Sequence, residues 1–338
     1  MIKRISSFTL LLVILLLSSG CSDSKSCSNT FFAMDTAMTF TLYGSRCNKA
    51  LTECEAEIFR LEKIFSVSDI DSEVYMVNSS ANSPVSVSAE LIETVELATA
   101  FSKECGNSFD ITISPIVAAF GFYTKTYRVP PQDEIDLLLK GVDFSAITLT
   151  TDSICLAQNQ QIDLGGMLKG YLSDRILEIL KKNKISKALI SFGGSILCYG
   201  TKPDGSLWRV GVEDPLKKAP YLGVVSVADS SVVTSGNYER YFYLDDIKYH
   251  HIFDPKTGYP ASSGLLSVTV IMADATLADM LSTALFVMGE EEAVNYWQSH
   301  NDFEMILVND NQDILITPKL EDMFVLEEGL GYSLMVVQ

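Results

Sequence analysis

The run of strand-type segments over residues 207–252 is the feature that most constrains the fold. Amphipathic helices are predicted before this run, over residues 49–65, 88–103 and 165–182, and after it, over residues 276–288. A doubly wound parallel sheet would instead alternate strand and helix along the whole chain. The pattern therefore predicts an α+β fold: a single compact unit in which mixed or antiparallel sheets are flanked by helices.

The N-terminus has the order of a secretory signal, with basic Lys3 and Arg4, an apolar run over residues 8–17 and small residues before Cys21. The apolar run is too short to cross a bilayer. Small residues directly before a cysteine are typical of a bacterial lipoprotein cleavage site, and a plainly cleaved signal peptide is the alternative. We therefore predict a signal peptide over residues 1–20, a tether over 21–30 that starts at a lipidated Cys21, and one domain over 31–338.

The formal charge of −18 at pH 7 argues against nucleic acid or an anionic lipid surface as a partner. A phosphate-bearing ligand would therefore need a local cation, a metal ion or the N-terminus of a helix. The seven cysteines include no CxxC pair and no spacing typical of metal ligands. No cysteine metal site and no particular disulfide are predicted.

The loop over residues 248–260, KYHHIFDPKTGYP, holds two of the three histidines in the chain. Asp-Pro followed by Thr-Gly indicates a rigid loop rather than the interior of a helix or strand. A histidine held in such a loop is a candidate general base, because its ordinary pKa lies near the pH at which enzymes work. An incidental pair of surface histidines is the alternative.

Residues 162–174, IDLGGMLKGYLSD, predict a strand that ends at Asp163, a turn at Gly165 and Gly166, and a helix with Lys169 in its first turn. Glycines let the backbone approach a ligand, and the free amides of a helix N-terminus together with Lys169 would suit a phosphate. A purely structural turn is the alternative.

On the predicted helix over residues 276–288, Asp279 and Thr283 are four residues apart and share a face. A carboxylate and a hydroxyl on one face are hard oxygen ligands of the kind that Mg²⁺ takes. Alternatively, Asp279 is exposed to solvent and Thr283 bonds to the backbone of its own helix.

Two further segments could contact a ligand. Residues 232–242, VVTSGNYERYF, interrupt a strand at Gly236, which can adopt a positive φ and expose backbone amides. Residues 107–122, NSFDITISPIVAAFGF, place Asp110 and Thr112 before small and aromatic side chains that would suit a wall against a planar ring. A solvated hairpin and a strand leading into a buried segment are the respective alternatives.

Together these segments resemble the ApbE-type family of FAD:protein FMN transferases, whose motifs follow the same order between residues 34 and 289. The most specific are HHIFDPKTGYP, IDLGGMLKGY, ALISFGGS, TSGNYERYF and ADMLSTALFVMG. The resemblance implies Mg²⁺-dependent cleavage of the FAD pyrophosphate, in which FMN passes to a Thr or Ser hydroxyl of an acceptor protein and AMP leaves. It also implies a protein anchored in the cell envelope through Cys21 and facing the periplasm, with a membrane electron-transport flavoprotein subunit as the usual acceptor.

The resemblance implies a role for each matching residue. His251 would be the base that acts on the acceptor hydroxyl. Mg²⁺ would be held by Asp279, Thr283 and the backbone carbonyl of Gly166. FAD would contact Met34, Thr36, Ser68, Asp110, Ile111, Thr112, Asp163, Lys169, His251 and Ile252.

Three positions depart from the family pattern. Asp35 replaces the glycine of the usual Met-Gly-Thr, and Ser68 stands where many relatives carry an aromatic side chain that stacks on the flavin. Ala275 lies one turn before Asp279, which leaves one carboxylate for the metal. Residue types do not separate transfer from hydrolysis, so a Mg²⁺-dependent FAD pyrophosphatase giving FMN and AMP is the first alternative. A non-catalytic flavin-binding lipoprotein and a structural or solute-binding lipoprotein are the others.

Overall fold

The computed structural model of the protein describes residues 25–338, so the predicted signal peptide and Cys21 lie outside the described residues. The helices are α1 (Cys47–Phe65), α2 (Glu73–Asn78), α3 (Ala89–Glu104), α4 (Ser114–Ala119), α5 (Gln132–Leu138), α6 (Leu168–Lys182), α7 (Ala275–Met288) and α8 (Glu290–His300). The strands are β1 (Ser26–Ala33), β2 (Thr36–Tyr43), β3 (Val85–Ser86), β4 (Thr148–Leu149), β5 (Ser153–Cys155), β6 (Lys187–Ser191), β7 (Ser195–Tyr199), β8 (Trp208–Glu213), β9 (Tyr221–Val227), β10 (Ser230–Gly236), β11 (Tyr241–Leu244), β12 (Ile247–His250), β13 (Leu265–Met272), β14 (Glu304–Asn309), β15 (Asp313–Ile316), β16 (Phe324–Leu326) and β17 (Ser333–Val336). None of the helices between residues 25 and 338 is both long enough and apolar enough to span a bilayer.

A nine-stranded sheet forms the centre of the fold, in the order β1-β2-β6-β7-β10-β13-β14-β15-β17. Its neighbouring strands run antiparallel except β15 and β17, which are parallel. Smaller sheets are formed by β16-β9-β8, by β3-β5-β4 and by the β11–β12 hairpin. The prediction of an α+β unit with mixed and antiparallel sheets is confirmed.

The two faces of the central sheet bury different partners. Along β13, Val268 and Val270 pack in the core cluster that includes the helices, whereas Ile271 packs on the opposite side with Trp208 of β8 and Phe324 of β16. Alternate residues of a strand point to opposite faces, so an almost continuously apolar strand is what two covered faces require. The result is three layers: helices, the nine-stranded sheet and the small β16-β9-β8 sheet.

The tether predicted to extend to residue 30 is wrong from Ser26 onward. Residues Ser26–Ala33 form the edge strand β1, which pairs with β2 along its whole length. The segment is polar because the outward side chains of an edge strand face solvent, while Phe31 on its inner face stacks on Phe40. The alternation of exposed and less exposed side chains over Ser26–Ala33 is therefore the pattern of a strand, although most of these residues are short and polar.

The strand predicted to end at Asp163 does not form, although Ile162 and Leu164 are fully buried. The side-chain amide of Asn78 occupies the place of a neighbouring strand, because it donates to the carbonyl of Ile162 (2.9 Å) and accepts from its amide (2.7 Å). The amide of Asp163 donates to the carbonyl of Ile111. The backbone is therefore satisfied without a ladder. The following helix also begins later than predicted, at Leu168 rather than at Gly165.

The contact between α6 and α7 depends on a glycine. A Cβ placed on Gly170 would lie 2.1 Å from the carbonyl oxygen of Ala275. The same crossing is held by Asp174, whose carboxylate accepts from the amides of Ala275 and Thr276 at the start of α7. The two helices that carry Lys169 and Asp279 are thereby fixed against each other.

We expect Gly170→Ala to destabilise the protein by about 2 kcal/mol, because the added methyl group must push α7 away. The measurement is the urea midpoint at unchanged m value, with Lys181→Ala on the exposed face of α6 as the control. An increase in stability, as alanine gives at an unconstrained helix position, would contradict the packing described here.

Candidate active site

His251 lies directly after the β11–β12 hairpin, where the chain enters the Asp254-Pro255 loop. Its Nδ1 is 3.2 Å from the carbonyl oxygen of Arg240, and its backbone amide donates to the same oxygen. A carbonyl oxygen can only accept, so Nδ1 carries the proton and Nε2 has a free lone pair. Burial first, and then the nearby cations of Arg240 and Lys169, hold the pKa of His251 well below its usual range. The imidazole is therefore neutral at pH 7, as a general base must be.

The neighbouring histidine has a structural role. His250 is buried; its Nε2 is 3.1 Å from the carbonyl oxygen of Ala261, and its Nδ1 accepts from the amide of Ile252 at 3.3 Å. Both ring nitrogens are used, and burial lowers the pKa of His250 to about 4. Of the two histidines in this loop, only His251 has a ring nitrogen to which no residue between 25 and 338 is hydrogen-bonded.

Asp279 on α7 faces the beginning of α6. Its side chain is only 2% exposed, its Oδ2 accepts from the amide of Gly170 at 3.0 Å, and its Oδ1 lies 3.4 Å from Nζ of Lys169. The alternative in which Asp279 is exposed to solvent is therefore wrong. Burying a carboxylate is unfavourable unless it is paired, and Lys169 and the Gly170 amide supply that pairing.

The turn before α6 leaves a backbone carbonyl without a partner. Gly170 is the third residue of α6, so its amide has no acceptor within the helix, and it donates to Asp279. The carbonyl of Gly166, two residues before the helix, accepts no hydrogen bond from residues 25–338. The amides of Leu168 and Lys169 likewise have no acceptor in this part of the chain. The turn thus presents a free carbonyl beside free amides of a helix N-terminus.

Thr283 lies one turn after Asp279, and its hydroxyl is 3.3 Å from that of Ser235 on β10. Ser235 also shares a hydrogen bond of 2.8 Å with Ser282. Thr283 therefore faces the strand end next to Gly236 rather than only its own helix. No group of three His, Cys, Asp or Glu side chains that could hold a metal occurs in the described part of the chain. A metal here would be held by one carboxylate and by neutral oxygens.

Asp163 has a partner that the sequence did not indicate. The hydroxyl of Tyr123 donates to Oδ2 of Asp163 at 2.7 Å and is also 3.0 Å from the hydroxyl of Ser114. Oδ1 of Asp163 accepts from the amide of Gly165. Burial and the Asp163 charge raise the pKa of Tyr123 well above its usual range, and the Arg240 cation partly opposes them. Tyr123 is the first residue after the segment singled out over 107–122, so no sequence signal included it.

The turn between β1 and β2 lies beside the turn between β6 and β7. Met34 and Asp35 both have positive φ, 49° and 59°, as a two-residue hairpin turn requires. Glycine adopts this conformation readily and aspartate tolerates it, which explains how Asp35 can replace the family glycine. Gly193 is in close contact with the hydroxyl of Thr36, since a Cβ there would be 2.0 Å away from it.

The remaining predicted flavin contacts are less accessible or more distant. Asp110, Ile111 and Thr112 are at most 4% exposed, and both oxygens of Asp110 accept hydrogen bonds from within the protein, from Thr112 and Phe144. Ile252 is buried as well, and Ser68 is exposed with Ser66 as its hydrogen-bond partner. The segment is joined to the loop that carries Asp163 through its backbone, because the carbonyl of Ile111 accepts from the amide of Asp163. The prediction that these residues contact FAD stays a prediction.

Segments distant in sequence thus meet at one place. Lys169 is 3.4 Å from Asp279 and its charge lowers the pKa of His251, while the charge of Arg240 lowers the pKa of both His251 and Tyr123. By contrast, a groove of about 460 Å³ between α1 and α6 is lined by charges that pair with one another, such as Arg175 with Glu178 and Lys182 with Glu53. A neutral imidazole, two cations, free amides and a buried carboxylate are what a phosphate-transfer site needs.

Comparison with known proteins points to one family. A family model described as the ApbE family matches residues 34–307. The FAD:protein FMN transferase of Klebsiella pneumoniae (strain 342) is 32% identical over 302 residues, which are 88% of this chain and 93% of the relative. The FAD:protein FMN transferase of Treponema pallidum (strain Nichols) is 35% identical over 263 residues, 72% of each chain.

Solved structures agree. The crystal structure of the ApbE protein from Thermotoga maritima aligns with a TM-score of 0.83 at 30% identity and covers 88% of this chain and 99% of that one. The apo form of the flavinyl transferase ApbE from Pseudomonas stutzeri aligns with a TM-score of 0.75 at 28% identity, over 84% of this chain and 91% of that one.

Proposed function

Because the chain belongs to the ApbE family, we propose that it transfers FMN from FAD to a Thr or Ser hydroxyl of a protein, forming a phosphoester and releasing AMP. The arrangement of His251 supports this activity most directly. Its Nδ1 is held by the Arg240 carbonyl, so Nε2 is the unprotonated nitrogen of a neutral ring, and the charges of Arg240 and Lys169 help to keep that ring neutral. A base in that state can take a proton from a hydroxyl at neutral pH.

The proposed step balances as follows. The acceptor oxygen attacks the FMN phosphorus of FAD, and its proton passes to Nε2 of His251. The new bond joins that phosphorus to the acceptor oxygen, and the phosphoanhydride bond to AMP breaks. In this proposal Lys169 and the free amides of Leu168 and Lys169 bind the phosphates, which is supported by the cation and unpaired donors at the start of α6. Arg240 adds a second cation near the base.

The residues at the start of α6 and on α7 fit a Mg²⁺ ion. The free carbonyl of Gly166, the carboxylate of Asp279 and the hydroxyl of Thr283 are hard oxygens of the type that Mg²⁺ prefers. When bound, the ion would neutralise phosphate charge in the displacement. A single carboxylate leaves room for phosphate and water oxygens, as is usual for this ion.

The proposal is tested with protein that begins at Ser22, together with FAD, Mg²⁺ and a Thr-bearing domain of a membrane electron-transport flavoprotein subunit. We expect flavin fluorescence that stays on the acceptor domain in a denaturing gel, and AMP in equal amount. Formation of FMN and AMP without a labelled acceptor would indicate the pyrophosphatase instead. If FAD stays intact, the result would favour the alternative of a flavin-binding protein without catalytic activity.

The pH dependence of transfer follows from the environment of His251. Its pKa lies below the ordinary value of 6.5, so the base stays unprotonated and active as the pH falls through 6.5. We therefore expect the acid limb of kcat/KM to have its midpoint below pH 6.5, with activity lost only at still lower pH. A midpoint at or above pH 6.5, measured at constant ionic strength, would show that His251 is not the titrating base.

We also propose that the protein is held in the cell envelope by a lipid on Cys21 and faces the periplasm. The support is the sequence itself: a basic pair, a short apolar run and small residues that lead to Cys21. Cys21→Ala is expected to move the protein from the membrane fraction to the soluble fraction and to prevent incorporation of labelled fatty acid. Unchanged membrane association would exclude Cys21 as the anchor.

A further inference from the structure

The β11–β12 hairpin projects from the site that contains His251. Its two strands pair only with each other among residues 25–338. Its base is closed by the hydrogen bond from the amide of His251 to the carbonyl of Arg240. One end of the hairpin is therefore fixed to the catalytic base, and the other ends in the turn Asp245-Asp246.

The half of the hairpin nearer its base is part of an aromatic cluster. Phe242 stacks between Tyr127 and Tyr249, with ring centroids 4.8 Å and 5.2 Å apart, and Tyr249 lies near Phe120. These contacts attach the hairpin to the core cluster formed by α4, α5 and the loop after His251. The hairpin is thus a firmly supported element rather than a loose loop.

The outer part has apolar side chains that this cluster does not cover. We call it the hairpin tip; it consists of Tyr243, Leu244 and Ile247, which are 63%, 44% and 56% exposed. Single exposed apolar residues are common on any protein, but here three lie within five residues at one end of the hairpin, as at an interaction site. Leu244 and Ile247 are paired on the face that carries Phe242 and Tyr249, and Tyr243 lies on the opposite face.

The tip lies within reach of any polypeptide that delivers a hydroxyl to His251. For proton transfer that hydroxyl must come within about 3 Å of Nε2. From His251 to Ile247 the chain is extended, so the tip lies within about 13 Å of the base. A segment only four or five residues long can therefore have its hydroxyl at the base and its flanking side chains on the tip.

We propose that the hairpin tip is the docking surface for the Thr- or Ser-bearing segment of the acceptor protein, which would contribute apolar side chains to the contact. This inference rests on the proposed function. A membrane surface is the less favourable occupant, because Asp245 and Asp246 are exposed at the end of the hairpin and form no ion pair with any described residue. Two carboxylates at the leading edge would be repelled by anionic lipid head groups.

The test is a kinetic comparison at saturating FAD and Mg²⁺ with an acceptor domain that the unsubstituted protein labels. The variant is Tyr243→Ser/Leu244→Ser/Ile247→Ser, and Ile247→Ser alone serves if the triple variant does not fold. The matched control is Val325→Ser/Leu334→Ser/Met335→Ser, three apolar residues that are 67%, 42% and 43% exposed on β16 and β17. Affinity for FAD, read from the quenching of flavin fluorescence, checks that the site is intact.

We expect the acceptor KM of the tip variant to rise by about tenfold or more, with kcat and FAD affinity unchanged. An acceptor KM equal to that of the control would overturn the inference. So would an unchanged KM combined with lost binding to phosphatidylserine-containing vesicles, which would assign the tip to a membrane surface. If the unsubstituted protein labels no acceptor, the proposed function itself fails, and that result is visible before any variant is made.

Discussion

Replacing His251 with alanine is expected to lower the rate of FMN transfer by about 10²- to 10⁴-fold, the usual contribution of a positioned general base. FAD binding should remain, because in the proposed arrangement the phosphates bind to Lys169 and the α6 amides rather than to the imidazole. The hydrogen bond from the backbone amide of residue 251 to the Arg240 carbonyl does not need the side chain, so the hairpin base should also persist.

The measurement is the single-turnover rate of acceptor labelling, together with FAD affinity and the thermal midpoint. His300→Ala is the matched control, because His300 is the remaining histidine of the chain and lies at the end of α8, on an element that contributes no residue to the site. A His251→Ala protein that transfers FMN at more than a tenth of the original rate would show that the proton goes elsewhere.

The second large effect is expected from Asp279→Asn. Asparagine can still accept from the Gly170 amide, which preserves the contact between α6 and α7. It lacks the negative charge that pairs with Lys169 and that a Mg²⁺ ion would require. We therefore expect transfer to fall on the order of a hundredfold or more, since a metal ion contributes several kcal/mol to such reactions.

The readouts are the initial rate as a function of Mg²⁺ concentration and the Mg²⁺-dependent increase in thermal midpoint, which should disappear. Asp274→Asn makes the same chemical change on the same helix, at a position whose side chain caps α7 through the amide of Leu277. Asparagine caps helices as well as aspartate does, so this control should behave like the original protein. An unaltered Mg²⁺ dependence in the Asp279→Asn protein would remove Asp279 from the metal site.

Side-chain periodicity was enough to place the long helices. The helix predicted over residues 276–288 is observed as Ala275–Met288, and Gly289 follows its last residue. Periodicity gave a wrong strand prediction where a side-chain amide, rather than a neighbouring strand, bonds to the backbone. The segment over residues 161–164 has the burial of a strand, but its partner is the amide of Asn78, 84 residues away, and no local pattern encodes that contact.

The candidate site shows the same limit. Candidate roles for His251, Asp279 and Lys169 follow from their local segments, because each residue type has a limited set of uses, and those roles stay predictions. The hydrogen-bond partners of these residues could not be inferred. Tyr123 donates to Asp163, 40 residues away in sequence, and the amide of Gly170 donates to the carboxylate of Asp279 on another helix. Those contacts depend on how α6, α7 and the sheet pack, which is decided by the whole core.

The early start of β1 bears on how the protein meets its acceptor. Because pairing with β2 begins at Ser26, a lipid on Cys21 would hold the edge of the sheet within ~17 Å of the bilayer. An acceptor in the same membrane would then be encountered by diffusion in two dimensions, at an effective concentration on the order of millimolar. A weak intrinsic affinity would suffice for rapid transfer there, and assays with soluble acceptor fragments would underestimate the rate reached at the membrane.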